Sequence, residues 1–151
     1  MTALNILQVT CIVSMGLMSG IYLIFSNTIM PTLRNVQSGA DVMAQLNDII
    51  LNSTFKFLFF FSAVSSAYLA MFASDVDYMF RTGCFIFFVG TFIVTLFRNV
   101  PLNNLLKEAN RAQNRLADVW RQYLISWVRW NHVRAISSIV AITLTCLSSY
   151  N

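Results

Sequence analysis

The sequence contains little charge, and this shortage disfavours most classes of soluble protein. Of its 151 residues, 11% are charged and 57% are hydrophobic, whereas an average soluble domain is about 25% charged and about 45–50% apolar. A single core of this size cannot hide so much apolar surface. The composition therefore disfavours a water-soluble enzyme, a disordered chain and a nucleic-acid-binding module, and it predicts one integral membrane domain over residues 1–151.

Histidine, cysteine and glycine motifs are also scarce. The single histidine, His132, excludes zinc, copper and di-iron sites that depend on several imidazoles, and we predict no metal ligands. Cys11, Cys84 and Cys146 have no close spacing, which favours packing, although one Cys11–Cys146 bridge is the alternative. The chain has no phosphate-binding glycine loop, nucleophile elbow or CxxC motif.

The few charges leave four apolar stretches, each near the roughly 20 residues that a membrane helix needs. A backbone in lipid must satisfy its own hydrogen bonds, which favours helices. We therefore predict an all-α, four-helix integral membrane bundle. Its predicted spans are residues 4–28, 55–75, 79–98 and 132–149.

The basic residues are distributed unevenly between the predicted loops. With four spans, the segments after the first and third spans lie on one side, and that side collects nine of the ten basic residues. Because basic loops remain cytoplasmic, we expect both termini outside and the basic segment 98–134 in the cytoplasm. The net charge of +4 then favours anionic lipid headgroups and gives no evidence for nucleic acid.

Proline and the apolar spacing predict where the helices begin and end. Pro31 is expected to end the first span, and residues 40–51 have the pattern of a short amphipathic helix at the membrane surface. The third span is expected to end at Asn99-Val100-Pro101, with Asn103 or Asn104 capping a new helix. No proline or glycine lies between 105 and 150, which predicts one long last helix extending into the cytoplasm.

One stripe of this last helix is unusual. At 100° per residue, Trp120, Trp127, Asn131, Arg134 and Ser138 lie within about 40° of one line. An arginine at membrane depth is costly unless it faces a partner or a wet cavity. The stripe is interpreted either as a pocket lined by tryptophan or as an interfacial aromatic belt with a snorkelling arginine.

Three further features have more than one interpretation. His132 lies about 100° from the stripe and is a general base, an axial haem ligand or an ordinary interfacial histidine. Gly16 and Gly20 form a small-xxx-small motif, which favours close approach of another helix over a gap for a flat ligand. Gly83 and Gly90 on the third span are interpreted in the same way.

Several motifs occur together in a characteristic order. They are the segments Gly16–Gly20, 25–31 (FSNTIMP), 43–47 (MAQLN), 52–55 (NSTF), 99–104 (NVPLNN) and 127–134 (WVRWNHVR). With this order and spacing the chain resembles the four-helix membrane family, long labelled a domain of unknown function, that includes the fungal anthrone oxygenases.

The resemblance implies an activity and a set of residues. For some members it implies oxidation of an anthrone, a flat tricyclic molecule, to an anthraquinone with O2. By position it implies His132, Arg134 and Asn131 as catalytic residues. It also implies ligand-binding residues, which are Trp120, Trp127, Asn103, Asn99 and Asn47.

We therefore expect an oxygenase or oxidoreductase acting on a hydrophobic aromatic or quinone-like molecule. No cofactor is required in the favoured scheme, and a haem bound through His132 is the variant. The expected partners are the lipid bilayer and a hydrophobic small molecule, with self-association or membership of a larger membrane complex left open. A non-enzymatic scaffold and a lipid- or quinone-binding protein are the alternative functions.

Overall fold

The computed structural model describes residues 2–113 and 115–148, which are helical with short connections and contain no strand. The helices are α1 (Ala3–Ile24), α2 (Met30–Arg34), α3 (Gly39–Ile49), α4 (Ser53–Met71), α5 (Tyr78–Phe87), α6 (Val100–Ala112) and α7 (Leu116–Ser148). Three π-helical segments adjoin them, namely π1 (Phe25–Ile29), π2 (Phe88–Ile93) and π3 (Thr95–Asn99). The all-α prediction is confirmed for these residues.

Three helical runs are long and apolar enough to cross a membrane, and they support the membrane prediction. They are Ala3–Arg34, Ser53–Met71 and Tyr78–Ala112. The fourth predicted span, 132–149, lies in α7 as far as Ser148, while residue 149 is outside the described residues, and this span is not among the three runs. The described part of α7 has 33 residues, or about 50 Å of helix at 1.5 Å per residue.

Neither proline ends a helix, so the two predicted breaks are wrong. Pro31 and Pro101 each occupy the first turn of a helix that continues directly from a π segment. The residue before each proline donates its N–H to the carbonyl five residues earlier, Met30 to Phe25 and Val100 to Thr95. The wider π turn gives the proline ring room beside the preceding turn, where a regular helix would clash. The predicted caps at Asn103 and Asn104 are also absent, because both residues lie inside α6.

The last helix is divided, which also differs from the prediction. α6 ends at Ala112, and α7 begins at Leu116. Gln113 and Arg115 both have left-handed backbone conformations, with φ of 50° and 54°. The left-handed region disfavours side chains other than glycine and asparagine, so local propensity did not reveal this break. The turn allows α6 to pack back against α7.

The predicted helix over residues 40–51 appears as α3, although its buried face differs from the apolar pattern. Met43 and Ala44 are buried, whereas Ile49 is 69% exposed. Val42 and Leu46 pack at the edge of the cluster that α3 shares with α7. Asn52 caps the following helix α4, since its side chain accepts the N–H of Phe55 at 3.0 Å.

Glycine sets the spacing between the third membrane run and α7, as expected. A Cβ atom on Gly83 would lie 2.7 Å from the carbonyl oxygen of Ala141, and one on Gly90 would lie 2.3 Å from Cβ of Ser137. These contacts allow α5 and π2 to approach α7 closely. Gly16 and Gly20 differ, because a Cβ on either would meet no atom within 4 Å. The expected close helix approach at that motif is therefore wrong within this chain.

The cysteines pack without a bridge, as expected. All three are free, and the thiol of Cys11 lies against that of Cys84 in the apolar core. The alternative Cys11–Cys146 disulfide is therefore absent.

Candidate functional site

A buried polar network around Asn131, which is 0% exposed, joins α7 to two of the three candidate membrane runs. Its side-chain N–H groups donate to the carbonyl of Tyr22 at 2.8 Å and to Oγ of Ser26 at 2.7 Å. Its Oδ1 accepts a hydrogen bond from Arg134 at 2.6 Å. The guanidinium of Arg134 also donates to Oγ1 of Thr95 at 3.1 Å. The network fixes the position of the arginine head group from two sides.

Arg134 is a buried cation without a carboxylate partner. It is 7% exposed, and its guanidinium lies 4.6 Å from the ring centre of Tyr22 and 5.3 Å from that of Trp127. In the part of the chain that the structure describes, one ion pair occurs, and it joins Lys107 to Asp48. Aromatic faces attract a cation but do not neutralise it. Burial of such a charge costs several kcal/mol, so the site is suited to an anion.

Two π segments provide groups that hold this arginine, Thr95 directly and Ser26 through Asn131. Ser26 lies in π1, and Thr95 lies in π3. Asn99, at the end of π3, donates to the carbonyl of Trp127 at 3.4 Å. π-Helical turns are rare and frequently occur at functional sites. Two separate helices are therefore irregular at the level of Arg134.

An aromatic column continues from the arginine along α7. The rings of Trp120, Tyr123 and Trp127 stack at 5.7 and 5.5 Å with interplanar angles of 21° and 16°. The Tyr123 hydroxyl donates to Oδ1 of Asn103 at 2.8 Å and accepts from Asn47 at 3.4 Å. Burial raises the pKa of Tyr123, so its hydroxyl stays protonated and remains a donor.

A cavity of about 380 Å³ opens beside Arg134. Its walls combine aromatic side chains with a few polar groups, the composition typical of a small-molecule site. Its lining includes Tyr22, Phe25, Phe55, Phe59, Trp127, Asn47, Asn103, Asn131 and Arg134. Two polar atoms in these walls, Nε1 of Trp127 and Nε of Arg134, are buried without a hydrogen-bond partner. An unpaired buried donor is a potential contact for a ligand.

Comparison with protein families gives a match over most of this region. The sequence model of the anthrone oxygenase family matches residues 43–144, which is two thirds of the chain. The chain belongs to the anthrone oxygenase family. No curated protein and no solved structure matches it.

The cavity of this anthrone oxygenase family member brings together five of the residues implied by the resemblance. They are Asn47, Asn103, Trp127, Asn131 and Arg134. Asn99 is buried beside the cavity, and Trp120 forms the far end of the aromatic column. Gly39 packs under Trp120, because a Cβ there would lie 3.2 Å from its ring.

His132 is not part of this arrangement. It is exposed on α7, and it does not line the cavity. A haem held inside the bundle through His132 therefore does not fit the donor set of the cavity. The described residues also contain no group of three His, Cys, Asp or Glu side chains placed to hold a metal ion.

Sequence reasoning missed the partners that α1 and the third membrane run contribute. Tyr22, Ser26 and Thr95 all contact the predicted pair Asn131 and Arg134. Ser26 lies in the 25–31 motif but was not assigned to the site, and no local pattern marks Tyr22 or Thr95, because tyrosine and threonine are ordinary in apolar helices. The family match begins at residue 43 and so leaves out the α1 contribution.

Proposed function

We propose that this protein is a membrane-embedded oxygenase of the anthrone oxygenase type, acting on a flat aromatic molecule with an enolisable position. The buried, unpaired cation of Arg134 at an aromatic-walled cavity supports this proposal most strongly. Anthrone-like molecules become anions when they lose a proton, and the negative charge then rests on oxygen. Arg134 and Asn131 would hold that oxygen by charge-assisted hydrogen bonds.

The proposed reaction converts a CH2 group between two rings to a carbonyl. Loss of a proton gives a carbanion, O2 accepts electrons from it, and a carbon–oxygen bond forms to give a hydroperoxide. Breaking of the O–O bond then releases water and leaves the new C=O. The substrate loses four electrons and O2 gains four, with one oxygen atom retained and the other leaving in water.

The chain's contribution to this scheme is binding and electrostatic stabilisation, with no cofactor required. Phe55, Phe59 and Trp127 would bind the faces of the rings, while Arg134 lowers the energy of the anion. The proton would leave at the polar edge of the cavity, which contains Asp48. Asp48 is the carboxylate among the lining residues. Because His132 lies outside the cavity, the scheme does not use it as the base.

We also propose the four-span topology, with both termini outside. The end of α7 lies beside the turn before α5, where Ser148 donates to Asp77. The opposite end contains the Lys107–Asp48 pair and the exposed arginines of α7, such as Arg121 and Arg129. This distribution agrees with a cytoplasmic basic end.

The test is oxygen uptake by the purified protein in lipid nanodiscs with a hydroxylated anthrone. We expect acceleration over spontaneous oxidation, and Arg134→Gln should lower kcat/KM by about 100-fold to 1,000-fold, as for loss of an oxyanion donor. Arg129→Gln is the matched control, because Arg129 is exposed on the same helix. Unchanged kcat/KM in Arg134→Gln would contradict the assignment of the site.

Binding without turnover is the second candidate function, and the exposed position of His132 favours it because the cavity then lacks an imidazole base. Binding of an anthraquinone that depends on Arg134, without oxygen uptake from any anthrone, would select this function.

A further inference from the structure

The cavity beside Arg134 has two different edges, and one of them is apolar. Phe60 on α4 is 54% exposed, and Leu96 in π3 is 41% exposed, yet both line the cavity. Val100, one turn beyond Leu96, is 37% exposed and also lines it. These residues belong to two of the helical runs that are apolar and long enough to cross a membrane. Their exposed surface would therefore face lipid.

The apolar edge exists because two membrane helices diverge. α4 packs against α5 and π2, where the rings of Phe59 and Phe92 lie 5.3 Å apart. Beyond this point α4 does not pack closely against π3 or α6. π3 turns toward α7 instead, through Thr95 to Arg134 and Asn99 to Trp127. A fork between α4 and π3 results, and Arg134 lies at its inner end.

The other edge of the cavity is polar, and an ion pair spans it. Asp48 of α3 and Lys107 of α6 both line the cavity and form an ion pair. Asn103 and Asn104 lie on the same side. An apolar ligand that leaves the bilayer would cross polar groups on this side, whereas Phe60, Leu96 and Val100 present hydrocarbon side chains on the other side.

We propose that the fork formed by Phe60, Leu96 and Val100 is a lateral portal through which a flat aromatic weak acid passes directly from the bilayer to Arg134. The weak acid dissolves in lipid as its neutral form, because an unpaired anion is strongly disfavoured in hydrocarbon. When it reaches Arg134, the weak acid loses its proton to water at the polar edge of the cavity, and the resulting anion pairs with the guanidinium. This inference rests on the proposed membrane placement and site.

The test measures the rate at which the site fills from a membrane. Protein in phosphatidylcholine vesicles is mixed with vesicles loaded with 1,8-dihydroxyanthraquinone, and quenching of tryptophan fluorescence is followed. Leu96→Phe or Val100→Phe should slow filling about fivefold or more while the equilibrium Kd in detergent changes by less than about twofold. Two exposed lining positions are substituted separately, so that the test still works if one variant fails to fold.

The controls separate the portal from the site. Leu105→Phe alters an exposed residue that does not line the cavity. The cavity of this variant should therefore fill at the wild-type rate. Arg134→Gln should weaken binding about tenfold or more. Absence of wild-type binding, or binding indifferent to Arg134, would overturn the site and the portal together. Asn104 lies at the polar edge. If Leu96→Phe filled at the wild-type rate and Asn104→Phe filled slowly, the portal would be overturned while the site would stand.

Discussion

The two ends of the helical bundle use the same helices in different ways. The dry half, around Cys11, Met15, Leu69, Cys84 and Phe87, is a buried apolar cluster. The polar half, around Asn131 and Arg134, contains the cavity and the segments π1 and π3. α1, the third membrane run and α7 pass through both halves. Two of the three π segments therefore lie where side chains bond across helices, whereas π2 packs against α4 and α7.

Four hydroxyl groups illustrate the same difference between the halves. In the dry half, Ser62 and Ser66 each donate to a carbonyl of their own helix, at 3.0 and 3.1 Å. In the polar half, Ser26 and Thr95 accept hydrogen bonds from another helix. Own-helix bonds satisfy a polar group locally and need no partner helix. Cross-helix bonds fix the position of one helix relative to another, which is the requirement for holding Arg134 in place.

The largest effect on stability should come from filling the close contact in the dry half. Gly83→Val would place a side chain against Ala141, and we expect a loss of about 3 kcal/mol in the free energy of unfolding. Gly16→Val is the matched control, because its Cβ would meet nothing and should change stability by less than about 1 kcal/mol. Unfolding in detergent micelles measures both. Equal losses in the two variants would show that helix spacing does not depend on Gly83.

A smaller effect should follow from loss of the cross-helix bonds in the polar half. Asn131→Leu removes the partner of Ser26 and one partner of Arg134, at a cost of about 2 kcal/mol. Ser66→Ala in the dry half removes one own-helix bond and should cost less than about 1 kcal/mol. The same unfolding assay compares them. A larger loss for Ser66→Ala would reverse the proposed contrast.

The smallest effect concerns pH and the turn beyond the dry half. A hydrogen bond from Ser148, with N–H groups of α5, lowers the pKa of Asp77. Its stabilising contribution is therefore fully present above the ordinary carboxyl pKa of about 4 and is lost as pH falls below that value through the lowered pKa. Asp77→Asn should reduce this acid dependence of the unfolding temperature. A variant with the wild-type pH profile would show that Asp77 contributes nothing.

The sequence predicted the helices better than their ends. Long charge-free stretches locate α1, α4 and α5 because a membrane helix needs about 20 apolar residues. The breaks failed for a local reason, since Pro31 and Pro101 normally interrupt a regular helix but follow π turns here. The turn near Gln113 also escaped prediction, because it requires a left-handed conformation that its residue type does not favour.

Helical periodicity predicted the candidate site on one helix only, whereas Asn47 and Asn103 came from the family resemblance. The stripe containing Trp127, Asn131 and Arg134 follows from helical periodicity, and all three side chains are buried. Their partners come from residues about 40 or more than 100 positions away in the chain, such as Thr95 and Tyr22. His132 lies next to the stripe in sequence but on the exposed face of the helix.

The sequence by itself determined that this chain is helical, apolar and built for a membrane, because the free energy of burying backbone in lipid leaves few other structures. It also determined that one costly arginine lies among tryptophans on the last helix. Only the tertiary structure decided that Arg134 is held without a carboxylate, that a cavity opens beside it, and that His132 stays outside. These features depend on where α1 and π3 lie against α7, and such long-range packing leaves no local pattern in the sequence.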